Sequence, residues 1–330
     1  MKSLPRNVVL AGDARDVLPT LLAESVDCVV TSPPYYRLRD YGVSGQLGQE
    51  PTVEAYVANL RGVLRQVRRA LKDTGALWLN LGDGYARQRG VGVPLGSLTL
   101  APQRLALALS KDGWIVRNVV VWAKPNPLPQ SARDRLSPTY EVILFATKAR
   151  QYFFDLDRIR APHRSAHRTG RAAEAGFYQG GNSGLARLKA AGQVGNPLGK
   201  NPGDVWTVAT AVDRLGHQAT YPEALIERPI LATCPERICV QCDQPWVRPV
   251  RVLTVHTGEG SREVRKAGEL NRCDCFAPSR PGVVLDPFAG TGTTCAVAAR
   301  LGRDYLGIEL SPRYRALAER RLGAAVRRAA

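Results

Sequence analysis

Ser32-Pro33-Pro34-Tyr35 is the stretch of this chain best suited to chemistry. A strand-like run, Val26-Asp27-Cys28-Val29-Val30, leads into it. Two successive prolines donate no backbone N–H, so neither a sheet nor a helix continues through them. The strand must end there, in a stiff, extended turn. That turn offers a small hydroxyl on Ser32, backbone carbonyls and the aromatic ring of Tyr35. Such a set suits a planar base that carries an amine. The acceptors can take hydrogen bonds from the amine, and the ring can stack on the base.

A second constellation lies far along the chain. Val283-Val284-Leu285-Asp286-Pro287-Phe288-Ala289-Gly290-Thr291-Gly292-Thr293-Thr294 reads as strand, glycine loop and helix start. Gly302 then breaks the chain, and Tyr305-Leu306-Gly307-Ile308-Glu309 is the next strand, ending in an acid. The β-α-β pattern lets glycine backbone approach a ligand and places a carboxylate to accept ribose hydroxyls. A dinucleotide would want a third glycine, which is missing.

Cysteines form a third. Cys239-x2-Cys242 and Cys273-x-Cys275 are two close pairs separated by a loop, the sequence form of a zinc ribbon. The fourth is charge. Residues 158–203 carry many arginines, among them Arg164, Arg168 and Arg171, against the single acid Glu174. Glycines and aromatics are interleaved, and the stretch reads as an insertion that meets DNA phosphates.

Positioning these groups needs a sheet. Strand patterns recur at residues 8–13, 76–81, 114–122 and 140–147, besides those already named. Between them, Val53, Tyr56, Val57, Leu60, Val63, Leu64, Val67 and Leu71 share one face of a helix expected over residues 52–71, with Gly75 marking its end. Another helix is expected over 102–111, and one from Pro222 onward. Strands alternating with helices argue for an α/β fold with a mostly parallel sheet.

The 330 residues are 44% hydrophobic, enough for a core, and no apolar run is long enough to cross a bilayer. The first residues lack an apolar signal core, so a cytoplasmic protein is expected. Lys and Arg number 46 against 29 Asp and Glu, a net charge of +17. A polyanionic partner is the direct inference, and nucleic acid is the commonest.

Ser32-Pro33-Pro34-Tyr35 resembles the catalytic motif of amino-methylating DNA methyltransferases, in the serine form typical of N4-cytosine enzymes. The segment from Asp286 to Thr294 resembles their S-adenosylmethionine loop. The catalytic turn precedes the cofactor loop here, which resembles the permuted, β group of that family. Gly12-Asp13, Leu81-Gly82-Asp83, residues 122–129 and the segment His217-Gln218-Ala219-Thr220-Tyr221-Pro222 extend the resemblance over most of the chain. The last departs from the family's H-P-T-Q-K-P.

The resemblance implies a Rossmann-like methyltransferase fold, circularly permuted, with a basic insert and a zinc-ribbon insert. It divides the chain into a catalytic part at 1–154, a target-recognition insert at 155–205, core again at 206–236, the zinc insert at 237–278 and a cofactor part at 279–330. It implies catalytic roles for Ser32, Pro33, Pro34 and Tyr35. Asp13, Asp286, Phe288, Gly290, Gly292, Thr293 and Glu309 would hold S-adenosylmethionine. Double-stranded DNA is the implied partner, with a cognate restriction endonuclease as a possible companion. N6-adenine methylation by the same serine stays open, as does a non-catalytic, zinc-containing DNA-binding protein. Protein-glutamine and RNA methylation fit less well, because those enzymes usually carry Asn-Pro-Pro-Tyr.

Overall fold

A computed structural model describes residues 4–127, 129–162, 198–211, 221–257 and 260–329, with 250–267 and 324–329 as backbone only. Arg164, Arg168 and Arg171, expected to meet DNA, lie outside the described residues, as does 217–220 of the His217 segment.

Among the described residues, thirteen strands follow in chain order: β1 Val8–Ala11, β2 Val26–Thr31, β3 Leu71–Leu81, β4 Ile115–Ala123, β5 Tyr140–Thr147 and β6 Val205–Thr207; β7 Arg237–Cys239, β8 Pro245–Trp246, β9 Val250–Thr257 and β10 Gly260–Ala267; then β11 Ser279–Arg280, β12 Val283–Asp286 and β13 Asp304–Glu309. The helices are α1 Ala14–Val17, α2 Val53–Ala70, α3 Ala101–Lys111, α4 Glu223–Thr233, α5 Thr293–Arg300 and α6 Pro312–Ala329.

Eight strands form one sheet in the order β1-β13-β12-β2-β3-β5-β4-β6. Its pairings are parallel except those of β5, which runs antiparallel to both β3 and β4. The expected mostly parallel sheet is therefore present. Along β12 the side chains alternate between two apolar layers, with Val283 and Leu285 in one and Val284 in the other. Helix α2 covers the first layer, and α4 and α5 lie in the second.

Thr52 caps α2 by accepting a hydrogen bond from the Ala55 N–H at 3.2 Å. Seven of the eight residues expected on its apolar face are buried in it. The eighth, Leu71, opens β3 instead. Gly75 does not end a helix; it lies inside that strand, where a Cβ would stand 2.9 Å from the Asp27 carbonyl. Close approach of the Leu71 side chain and the Asp27 backbone, not helix termination, accounts for this glycine.

The second and third sheets belong to the cysteine segment. β11, β7 and β8 pair antiparallel, and β9 and β10 form a ribbon. This unit docks where β2 and β3 begin. Lys72 bridges Asp27 at 3.0 Å and Asp243 at 2.5 Å, and Arg280 reaches Asp243 at 2.8 Å. No helix among the described residues is long and apolar enough to cross a membrane.

Candidate active site

In a doubly wound sheet, ligands bind beyond the carboxyl ends of the parallel strands. Five such ends converge here: β1 delivers Gly12-Asp13, β2 Ser32, β3 Gly82-Asp83, β12 Pro287-Phe288 and β13 Glu309. The antiparallel β5 contributes its first residues to the same edge, and β4 its last, so Glu141 and Lys124 arrive there too. Together they line one cleft of about 1300 Å³. A typical small-molecule site has ~300–1,000 Å³. There is room for two ligands side by side.

The Ser32 turn is tied down from beneath. Thr31 Oγ1 donates to Asp286 Oδ1 at 2.7 Å, and Tyr56 Oη donates to the Pro34 carbonyl at 2.8 Å. That carbonyl therefore already holds one partner within the protein. Gly82 must lack a side chain, because a Cβ would lie 2.7 Å from Tyr35 Cε2.

Tyr35 does more than present a ring. Its hydroxyl donates to Glu141 Oε2 at 2.6 Å and accepts from Ser32 Oγ at 3.3 Å and Asn80 Nδ2 at 2.6 Å. Asn80 Nδ2 also donates to Glu141 Oε2 at 2.8 Å, and Lys124 Nζ donates to Oε1 at 2.5 Å. Burial, then the nearby Glu141 charge, raises the Tyr35 pKa well above its ordinary value, so the phenol stays protonated.

On the other side of the cleft, Glu309 accepts the Gly290 N–H at 2.7 Å and the Ser311 N–H at 2.8 Å. Burial pushes its carboxyl up to about 7 against the pull of those donors. Gly290 has φ +54° and lines the cleft. Gly292, at φ +75°, does not; a Cβ there would lie 3.0 Å from that of Ala318 in α6. Its smallness serves helix packing. Phe288 and Thr293 line the cleft, as does Asp13. Burial pushes the Asp13 carboxyl up, but hydrogen bonds from Arg15 outweigh it and hold the pKa below the ordinary value.

Asp286 differs from its expected place among the ligand contacts. It is 1% exposed and absent from the cleft wall. Its oxygens accept from Thr31, Thr294 Oγ1 at 2.6 Å, Tyr221 Oη at 3.2 Å and the Phe288 N–H at 3.0 Å. It supports the loop rather than a ligand. Tyr221, from the segment that departs from the family pattern, is thus part of that support.

Cys239, Cys242, Cys273 and Cys275 gather at the other end of the sheet. Their sulfurs lie within 4.8 Å of one another. The Gln241 N–H also points at Cys239 Sγ, at 3.4 Å.

The N6_N4_Mtase family profile, described as DNA methylase, matches residues 26–320. Type II methyltransferase M.SmaI of Serratia marcescens is 32% identical over 95% of this chain and 90% of its own. M.XycI of Xanthomonas campestris pv. cyanopsidis is 33% identical over 96% and 87%. Among solved structures, TTHA0409 of Thermus thermophilus, complexed with S-adenosyl-L-methionine, superposes with a TM-score of 0.53 at 25% identity. That superposition covers 96% of this chain and 95% of TTHA0409. PvuII DNA methyltransferase (cytosine-N4-specific) shares the fold with a TM-score of 0.59 at 16% identity, over 99% and 95%. The matched stretch runs from β2 through the Ser32 turn and Glu309 into α6, and the chain belongs to the N6/N4 DNA methylase family as a DNA methyltransferase.

Proposed function

We propose that this enzyme transfers a methyl group from S-adenosylmethionine to the exocyclic N4 of a cytosine flipped out of duplex DNA. One observation carries the reading: a single cleft brings the Ser32 turn and the Gly290–Glu309 unit together, with room for two ligands. Serine rather than aspartate at the head of the turn favours cytosine over adenine. The early catalytic turn and late cofactor loop favour the permuted, β group. A non-catalytic DNA-binding protein would have no use for this two-sided cleft.

The donor set fits the cofactor. Glu309 offers carboxylate oxygens for a ribose diol, Phe288 an apolar face, Gly290 a close backbone, and Asp13 an anionic partner for an ammonium. When bound, the cofactor supplies an electrophilic sulfonium methyl. The chain must do the rest. A flipped base leaves the duplex at a cost of a few kcal/mol, and stacking on Tyr35 returns about 1–3 kcal/mol. Ser32 Oγ and the Pro33 carbonyl accept the two amine hydrogens and draw the nitrogen toward tetrahedral geometry. Most of the acceleration then comes from positioning.

DNA from cells expressing the protein, sequenced by a method that separates N4-methylcytosine from N6-methyladenine, tests the assignment. Methyl groups on adenine would overturn the cytosine reading and leave the methyltransferase reading intact. The basic residues Arg164, Arg168 and Arg171 supply the proposed DNA contacts within the 155–205 target-recognition insert.

Glu309 links the cofactor to pH. Its folded pKa of about 7 exceeds the ordinary 4.5, so the folded protein holds the proton more tightly. Stability of the free protein should fall as pH rises from about 4.5 to about 7. Cofactor binding should move oppositely, because the ionised carboxylate is the better acceptor. From pH 8 to pH 6 the affinity should weaken by up to about tenfold. Calorimetric titration at both pH values checks this; equal affinities for wild type and E309Q at each would count against Glu309 as the ribose anchor.

The cysteine cluster holds one zinc ion in our reading. Tetrahedral thiolate zinc, with Zn–S near 2.3 Å, spaces its sulfurs by about 3.8 Å. The observed cluster needs only a small contraction. Its place where β2 and β3 begin, away from the cleft, supports a structural role within the 237–278 insert. Metal analysis should find about one zinc per chain, and none in a C239S/C242S variant. A metal-free preparation with wild-type melting would refute it.

A further inference from the structure

The hydrogen bonds around Tyr35 have a fixed direction. Glu141, as a carboxylate, only accepts. Lys124 Nζ and Asn80 Nδ2 only donate. Tyr35 Oη receives two donors, Ser32 Oγ and Asn80 Nδ2, so its own proton has one place to go, Glu141 Oε2. Ser32 likewise directs its hydroxyl hydrogen at Tyr35. The Ser32 oxygen is left with lone pairs for the cleft, which it lines.

We propose that Ser32, Tyr35 and Glu141 form a proton relay for methyl transfer, with Glu141 as its terminal acceptor. The proposal rests on the reading of Ser32 as the group that meets the amine. As the nitrogen lone pair bonds to the sulfonium methyl, the nitrogen becomes cationic. One N–H bond then breaks, and its electron pair returns to nitrogen. The released proton passes to Ser32 Oγ, the Ser32 proton to Tyr35 Oη, and the Tyr35 proton to Glu141 Oε2. Net, one proton moves from the amine to Glu141, and nothing is oxidised or reduced.

The surroundings favour this path. Glu141 and Lys124 are only 15% and 19% exposed, so bulk water is a poor competitor. Lys124 also sits 4.7 Å from the Trp122 ring centroid, which limits the freedom of its ammonium. Asn80 is 5% exposed, and its amide nitrogen bridges Tyr35 and Glu141. The hydroxyls and the carboxylate are therefore held in line before any substrate arrives. Glu141 acts through Tyr35 and Ser32, and is a positioning residue in this scheme.

Single-turnover methyl transfer in the full-length protein, at saturating DNA and S-adenosylmethionine, tests it. The E141Q side chain still accepts from the Tyr35 hydroxyl, so the ring stays anchored, but it cannot take up a proton. E141Q and Y35F should each slow the single-turnover rate at least tenfold. Affinities for cofactor and DNA should stay within about twofold of wild type, and E141D should recover part of the rate. Wild-type rates in E141Q and Y35F, with S32A inactive, would overturn the relay alone. Loss of DNA or cofactor binding in E141Q would overturn it in favour of a structural role. An active S32A would remove the reading of the site on which the relay rests.

Discussion

Ser32→Ala is expected to slow methylation by ~10²–10³ while leaving cofactor affinity nearly unchanged. The Ser32 hydroxyl bonds to Tyr35, while Glu309 bonds to the Gly290 N–H on the other side of the cleft. Its loss removes an acceptor that matters most as charge develops on the amine. Removing one preorganised hydrogen-bond partner of that kind typically costs ~10²–10³ in turnover. The fold should tolerate the change. Thr31 and Tyr56 hold the turn through Asp286 and the Pro34 carbonyl, and neither bond involves Ser32. Calorimetric titration with S-adenosylmethionine, beside a methylation assay, separates the two effects. If the variant folds but no longer binds cofactor, Ser32 belongs to the cofactor side and the two-sided division of the cleft is wrong.

That division was legible in the sequence at two places, and each had a local cause. Two prolines after an apolar strand force an exposed turn whatever the rest of the chain does. A glycine loop between two strands, with an acid at the second strand's end, fixes the Gly290–Glu309 arrangement through chain geometry alone. Asn80, Lys124 and Glu141 carry no such mark. Glu141 lies 106 residues from Tyr35 and meets it only because β5 runs antiparallel beside β3. Strand direction is not written in an apolar run such as Val142 to Ala146. Lys124 was visible as part of a proline-rich loop, but its partner was not. Asp286 was misplaced for a related reason. Asp-Pro-Phe beside a glycine loop looks like ligand contact, and only burial shows the carboxylate facing inward to Thr31, Tyr221 and Thr294.

Asp286→Ala should therefore fail differently from Ser32→Ala, losing stability, cofactor binding and methylation together. The carboxylate is 1% exposed, and four donors from four segments converge on it. Thr31 comes from the end of β2, Phe288 from the cofactor loop, Thr294 from α5 and Tyr221 from just before α4. Burial raises the carboxyl pKa, and the hydrogen bonds from Thr294 and Thr31 oppose it most. Alanine leaves buried donors without an acceptor, at ~1–3 kcal/mol for each group that finds no substitute. Some hydroxyls will rotate toward backbone carbonyls; Thr294 Oγ1 already lies 3.4 Å from the Val30 carbonyl. A net loss on the order of 3 kcal/mol is expected. Asparagine keeps one acceptor oxygen and the shape, so Asp286→Asn should cost clearly less. Urea unfolding of both variants beside wild type gives the ranking. An alanine variant as stable as wild type, with wild-type cofactor affinity, would show that this carboxylate does not hold the two sides of the cleft together.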